Sequence, residues 1–87
     1  MATTLAISDL AELLFASPLQ ERDEPTPRQV RAAVNERLLA SGGHCGPSAE
    51  YVAQEAGDHP EQYVRRMRWA LALVARVYGP AEVLLAV

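Results

Sequence analysis

The stretch PEQYVRRMRWALALVARVY, residues 60–78, carries the longest helical pattern in the chain and its single tryptophan. Apolar residues recur in it at steps of three and four, which places them along one face of a helix. These residues are Val64, Met67, Leu71, Val74 and Tyr78. A second apolar line, Tyr63, Ala70, Leu73 and Val77 with Trp69 beside it, widens that face. Such a helix must pack on two sides, so we expect 60–78 to be the central helix of a bundle or one side of a dimer interface.

The rest of this segment is basic. Arg65, Arg68 and Arg76 share a face, and Arg66 lies next to it. We call these four residues the arginine ridge and predict that it is solvated and available for contact with a protein or with DNA. Pro60 fits a first helical turn, and Gly79 followed by Pro80 is a stop signal.

Two helices are predicted in the first half of the chain, over 8–16 and 27–41. Ser8 is the expected N-cap of the first helix, which ends at Ser17-Pro18. The proline-rich segment 18–27 reads as an extended linker. Thr26-Pro27-Arg28-Gln29 combines an N-cap threonine with the capping-box spacing and therefore starts the second helix. Gly42 is the expected left-handed residue at its end.

Two further elements follow in the second half. Residues 48–56 are predicted to form a third helix, and the turn at 57–60 leads into the helix 60–78. The tail PAEVLLAV can begin a short fifth helix at Pro80, with Val83, Leu84 and Val87 on one side. An apolar tail of this kind should be buried, either against the core of its own chain or against another subunit. We therefore expect Trp69 or the tail to mediate self-association.

Composition narrows the class of protein. The chain has 87 residues, of which 49% are hydrophobic and 22% charged, as expected of one folded domain over 1–87. A net charge of -3 argues against nucleic-acid binding by bulk attraction. There is no membrane-spanning run and no basic, apolar leader, so no membrane partner is expected. One cysteine agrees with a cytoplasmic location. Arginine without lysine, with abundant alanine, is typical of a GC-rich bacterial genome.

One motif suggests DNA binding. Residues 49–71, AEYVAQEAGDHPEQYVRRMRWAL, have a small residue, Ala53, where a second helix would cross, and Gly57 four residues later for a sharp turn. The stretch resembles a bacterial helix-turn-helix. The resemblance implies a second helix whose Arg65, Arg66 and Arg68 reach phosphates or guanine edges.

No arrangement of residues predicts catalysis. His44, Cys45 and His59 are the best soft or borderline metal ligands, but they lack zinc-site spacing, and no acid is placed to orient a Cys45–His44 pair. Phosphate loops and dinucleotide fingerprints are missing from the sequence. We therefore predict no enzyme activity, catalytic residue, metal, cofactor or small-molecule substrate.

The sequence predicts an all-α bundle of four helices. Its expected role is that of a small, intracellular, bacterial-type interaction or regulatory module, self-associating or bound to a protein partner. A helix-turn-helix DNA-binding regulator acting through 49–71 is the alternative.

Overall fold

The protein is an all-α bundle of four helices, as predicted. The structure, a computed structural model, describes residues 3–79 and 82–85. Its helices are α1 (Ile7–Ala16), α2 (Pro27–Ala40), α3 (Gly46–Asp58) and α4 (Pro60–Tyr78). A 3-10 turn, Glu21–Asp23, lies between α1 and α2, within the segment predicted as an extended linker. Two short strands, β1 (Thr3–Ala6) and β2 (Glu82–Leu85), pair antiparallel.

The core is built around α1. This ten-residue helix packs against each of the other three helices. Five of its residues are almost fully buried, and they are Leu10, Ala11, Leu13, Leu14 and Phe15. Val30 and Val34 of α2, Ala70 and Val74 of α4, and Leu5 of β1 join them in the core. The central position therefore belongs to α1 and not to 60–78, because a short helix that is apolar on nearly every side loses most by facing water.

The longest helix, α4, is only partly enclosed. It packs against α1, α2 and α3, so it has neighbours on more than one side, as expected. The predicted inner face is wrong at two positions, since Val64 and Leu71 remain 42% and 38% exposed. Trp69 and Leu73 are half-buried and pack against the core. The completely buried residues of α4 are Ala70 and Val74, one from the second apolar line and one from the first.

The start of α1 differs from the prediction. The helix begins at Ile7, its N-cap position is Ala6, and Ser8 is an exposed residue of the first turn, so the assignment of Ser8 as N-cap is wrong. The Asp9 carboxylate accepts the Ala6 backbone N–H at 3.1 Å. A carboxylate in the first turn also interacts favourably with the helix dipole, and it replaces the missing side-chain cap.

The start of α2 is as predicted. The Thr26 backbone N–H donates to Gln29 Oε1 at 2.8 Å, and the Gln29 N–H donates to Thr26 Oγ1 at 3.2 Å. These two bonds form the reciprocal capping box. At the other end Gly42 has φ 74°, the left-handed conformation expected there.

The tail does not form the fifth helix over residues 82–85. Glu82–Leu85 pairs with Thr3–Ala6, and Thr4 lies opposite Leu84. Main-chain pairing with β1 satisfies backbone groups that a four-residue helix would leave open. In the part of the chain that the structure describes, no helix is long and apolar enough to cross a membrane.

Candidate interaction surface

The predicted site residues on α4 fall into two groups. Arg65, Arg68 and Arg76 are exposed and point to solvent, as predicted for the arginine ridge. Arg66 is half-buried and reaches across the bundle to the end of α1. The ridge therefore has three exposed members and one that is held inside the fold.

Arg66 caps the C-terminal end of α1. Its Nε and Nη2 donate to the Phe15 carbonyl at 3.0 and 2.8 Å. The carbonyl oxygens of Ser17 and Leu19 also lie 2.9 Å from Nη2, so its two N–H groups are shared among three carbonyls. The last carbonyls of a helix have no partner within it, and α1 has no basic residue in its last turn. One guanidinium from α4 thus supplies both the donors and the positive charge that this helix end lacks.

The same guanidinium is stacked between two aromatic rings. Its central carbon lies 5.3 Å from the centre of the Phe15 ring and 5.1 Å from that of Trp69. Both distances are within the range of a cation–π interaction. Burial lowers the pKa of Arg66 from its ordinary value, and the nearby Tyr51 acts in the opposite direction. Arginine remains charged under these conditions, so Arg66 holds one face of Trp69 in a fixed orientation.

A groove runs along α4 on either side of Trp69. One cavity, of about 440 Å³, lies between the turn after α1 and the second half of α4. Its lining consists of Glu21, Glu24, Pro25, Trp69, Ala72, Leu73 and Arg76. A smaller cavity, of about 160 Å³, continues toward the start of α4 and is lined by Gln20, Glu21, Gln62, Arg65, Arg66 and Trp69. We call this continuous surface the Trp69 groove. Trp69 and Leu73 give the lining an apolar part beside its charged groups, a combination found in protein contacts.

The two walls of the Trp69 groove carry opposite charges. Glu21 and Glu24 belong to the wall formed by residues 20–25, whereas Arg65 and Arg76 belong to α4. Arg65 Nε lies 3.6 Å from Glu21 Oε1, but both side chains are more than half exposed. An exposed ion pair of this kind contributes little to stability. Arg68 lines neither cavity and lies outside the groove.

Residues 49–71, which resemble a helix-turn-helix, lie in α3 and α4. Across residues 46–78 the only residue outside a helix is His59, and Gly57 belongs to α3. Ala53, expected under the crossing point of the two helices, is exposed. Arg66, expected at a DNA surface, donates to the Ser17 carbonyl directly after α1. The connection between α3 and α4 is thus shorter than the three or four residues usual in a DNA-binding motif of this kind.

His44, Cys45 and His59 are not brought together with acids into a metal site. Among the described residues no three His, Cys, Asp or Glu side chains are grouped in a way that could hold a metal ion. His44 Nδ1 instead accepts the Gly46 N–H at 3.2 Å. Burial raises the pKa of the Cys45 thiol, and the charges of Asp9 and Glu12 raise it further. A thiol with a raised pKa is a poor nucleophile at neutral pH.

The predicted self-association residues of the tail are only partly described. Val83 and Leu84 lie in β2, where their main chain pairs with Leu5 and Thr4. Val87 lies outside the described residues. Trp69 is thus the member of this predicted set whose surroundings the structure defines.

Sequence reasoning missed the acidic wall of the groove and the capping role of Arg66. One signal for Arg66 was present in its spacing, since it lies three residues after Tyr63 and four before Ala70, on the buried side of α4. The wall formed by 20–25 had no comparable signal, because the segment packs beside α4 only after the chain has folded.

The fold and the groove together define a small all-α protein whose longest helix presents an aromatic and arginine-rich surface. Comparison with known protein families, with curated proteins and with solved structures found no match.

Proposed function

We propose that this protein is a small, non-enzymatic interaction module of a regulatory kind, which binds another polypeptide through the Trp69 groove. The observation that supports this most directly is the position of Trp69, half-buried between two cavities with Arg65 and Arg76 beside it. Tryptophan and arginine are the residues most enriched at the energetic centres of protein interfaces.

The rigidity of the groove supports the same proposal. Arg66 stacks on Trp69 and is itself fixed by the three carbonyls at the end of α1. A side chain that is already ordered loses little conformational entropy when a partner covers it. Binding at Trp69 would therefore retain most of the free energy gained by burying the indole.

The charge of the surface favours a protein over a nucleic acid. The basic wall of α4 faces Glu21 and Glu24 across the groove, and the whole chain carries a net charge of -3. Phosphates approaching Arg76 would also approach these two carboxylates. A polypeptide with groups of both signs matches such a surface better.

A catalytic role has no support in the groups around the groove. Cys45, with its raised pKa, lines neither of the two cavities that form it. The cytoplasm is the proposed site of action, since a chain with one cysteine cannot form an internal disulfide.

Photo-cross-linking in living cells tests this function. A photoreactive amino acid placed at Ala72, an exposed residue lining the groove, should cross-link to a polypeptide. The same group at Asn35, an exposed residue of α2 outside the groove, is the matched control and should give no such product. Arg76→Glu combined with the probe at Ala72 should remove the product.

Two results would overturn the proposal. One is equal cross-linking from Ala72 and Asn35, which would mean that the groove has no special affinity for protein. The other is salt-dependent binding of duplex DNA that is lost on reversing the charges of Arg65 and Arg68, which would establish the DNA-binding alternative.

A further inference from the structure

The charged walls of the Trp69 groove are only partly matched within one chain. The Arg65–Glu21 contact at 3.6 Å is the one ion pair among the described residues. Glu24 and Arg76 line the same cavity, and neither has an oppositely charged atom within ion-pair distance in this part of the chain. Within the described residues, this surface therefore offers one acidic and one basic group without an oppositely charged neighbour at ion-pair distance.

The backbone at Glu24 adds a second observation. Glu24 has φ 44° and ψ 58° and is the one residue other than glycine with positive φ among those described. This left-handed conformation favours glycine or asparagine and costs a glutamate roughly 1 kcal/mol or more. Glu24 is the C-cap of the 3-10 turn, where its backbone N–H donates to the Glu21 carbonyl at 3.2 Å, and this turn leaves its carboxylate exposed on the wall of the groove.

We propose that the occupant of the Trp69 groove is a second copy of this chain, related to the first by a two-fold axis that runs along the groove. In this arrangement residues 20–25 of each copy lie against α4 of the other. Glu24 of each copy then faces Arg76 of the second copy, and Trp69 and Leu73 are covered. This inference rests on the proposed function and specifies its partner.

Charge complementarity selects a second copy over other partners. In a two-fold interface one patch meets itself, so residue i contacts residue j and residue j contacts residue i. A patch of one sign would repel its own copy, whereas the groove carries Glu21 and Glu24 on one wall and Arg65 and Arg76 on the other. From Gln62 to Arg76 the patch follows about 21 Å of helix, at the usual rise per residue.

The first test measures oligomeric state by sedimentation equilibrium. The native chain should associate reversibly to twice its monomer mass of 9.5 kDa and no further. Glu24→Arg and Arg76→Glu should each weaken the dimer about tenfold or more, because both symmetry-related pairs become repulsive at once. Arg68→Glu is the matched control, since it makes the same charge change on α4 outside the groove, and it should change the dissociation constant less than about threefold.

The second test mixes the two variants. In a heterodimer of Glu24→Arg with Arg76→Glu, the introduced arginine of one chain faces the introduced glutamate of the other on one side of the two-fold axis. On the other side of the axis, the native Arg76 of the first chain faces the native Glu24 of the second. Two chains that are monomeric alone should therefore dimerise when mixed. Trp69 is the only tryptophan, so a blue shift of its fluorescence on mixing reports directly that the groove has closed.

Circular dichroism of each variant checks that the helices are intact, and Glu24→Asn supplies a second measurement if Glu24→Arg does not fold. Asparagine tolerates positive φ but has no charge, so it should preserve the fold while weakening the dimer. A native chain that stays monomeric, or variants that do not restore each other on mixing, would overturn the inference. If a monomeric chain still cross-links to a different polypeptide from Ala72, the proposed function stands and only the identity of the partner is wrong.

Discussion

Helices α1 and α4 differ in how much of their surface is buried. The ten residues of α1 are too few to form a stable helix alone, and the helix persists because three neighbours bury its side chains. The nineteen residues of α4 bury only Ala70 and Val74 completely and leave a long exposed face. In this small bundle the extent of burial, and not the length of a helix, identifies the structural centre. The longer helix keeps an exposed face.

The two helices meet at Arg66, which belongs to α4 but completes α1. Its bonds to Phe15, Ser17 and Leu19 join the buried helix to the exposed one. The same side chain thus contacts the end of α1 on one side and the Trp69 ring on the other.

The largest expected effect is on stability, and it is seen by comparing a buried leucine of α1 with a partly exposed leucine of α4. Leu14→Ala in α1 removes a fully buried side chain and should lower the free energy of unfolding by about 3 kcal/mol or more, since a cavity remains. Leu71→Ala in α4, 38% exposed in the native protein, should cost about 1 kcal/mol or less. Urea denaturation measures both values. Equal losses would contradict the assignment of α1 as the centre.

The next effect concerns the link between the helices. Arg66→Met keeps an apolar stem but leaves the carbonyls of Phe15, Ser17 and Leu19 without this donor, and should cost about 2 kcal/mol. Arg66→Lys keeps the charge without the planar fork and should lie between this variant and the native protein.

Arg65→Met is the matched control for the Arg66 variants. Its exposed pair with Glu21 should be worth less than about 0.5 kcal/mol. Thermal and urea unfolding rank the three variants. If Arg66→Met were no less stable than Arg65→Met, the proposed cap on α1 would be wrong.

A smaller effect depends on pH and on Glu12 in α1. Burial raises the pKa of Glu12 above its ordinary value of 4.5, and Asp9 raises it further. The folded state therefore binds the proton more tightly than the unfolded state. The contribution of this proton to the free energy of unfolding is fully present at a pH below the pKa of Glu12 in the unfolded state. It is lost as the pH rises through the raised pKa of the folded state.

Glu12→Gln should remove this pH dependence and raise stability at neutral pH by less than about 1 kcal/mol, a small value because the carboxyl group is partly hydrated. Glu61→Gln in the first turn of α4 is the comparison and should slightly lower stability, since it removes a favourable interaction with the helix dipole. Urea unfolding between acid and neutral pH separates the two variants. A steeper pH slope in Glu12→Gln than in the native protein would contradict this account.

The smallest effect is expected at the end of α4. The Tyr78 hydroxyl is buried without a hydrogen-bond partner among the described residues, and burial raises its pKa while Arg31, beside the ring, lowers it. Tyr78→Phe should be neutral or stabilising by a few tenths of a kcal/mol, because no bond is lost and an unpaired polar group is removed. A loss of more than about 1 kcal/mol on thermal unfolding would show that the hydroxyl is bonded in solution.

The elements that depend on neighbouring residues can be predicted from the amino-acid sequence alone. The capping box at Thr26 and Gln29, the left-handed Gly42 and the limits of α4 at Pro60 and Gly79 all depend on residues within one turn of each other. Each of these features is specified by neighbouring residues once its helix is present, so a local pattern is sufficient to predict it.

The identity of the central helix, the burial of Arg66 and the position of the Trp69 groove depend on tertiary packing and cannot be read from local sequence. Arg66 and Phe15 are 51 positions apart in the chain, and Glu24 meets α4 only because the segment 20–25 folds beside it. Local periodicity gives each helix an apolar side but not the neighbour that will cover it. That choice depends on how all four helices share a limited amount of buried surface, and it placed α1 inside and left the arginines of α4 at its edge.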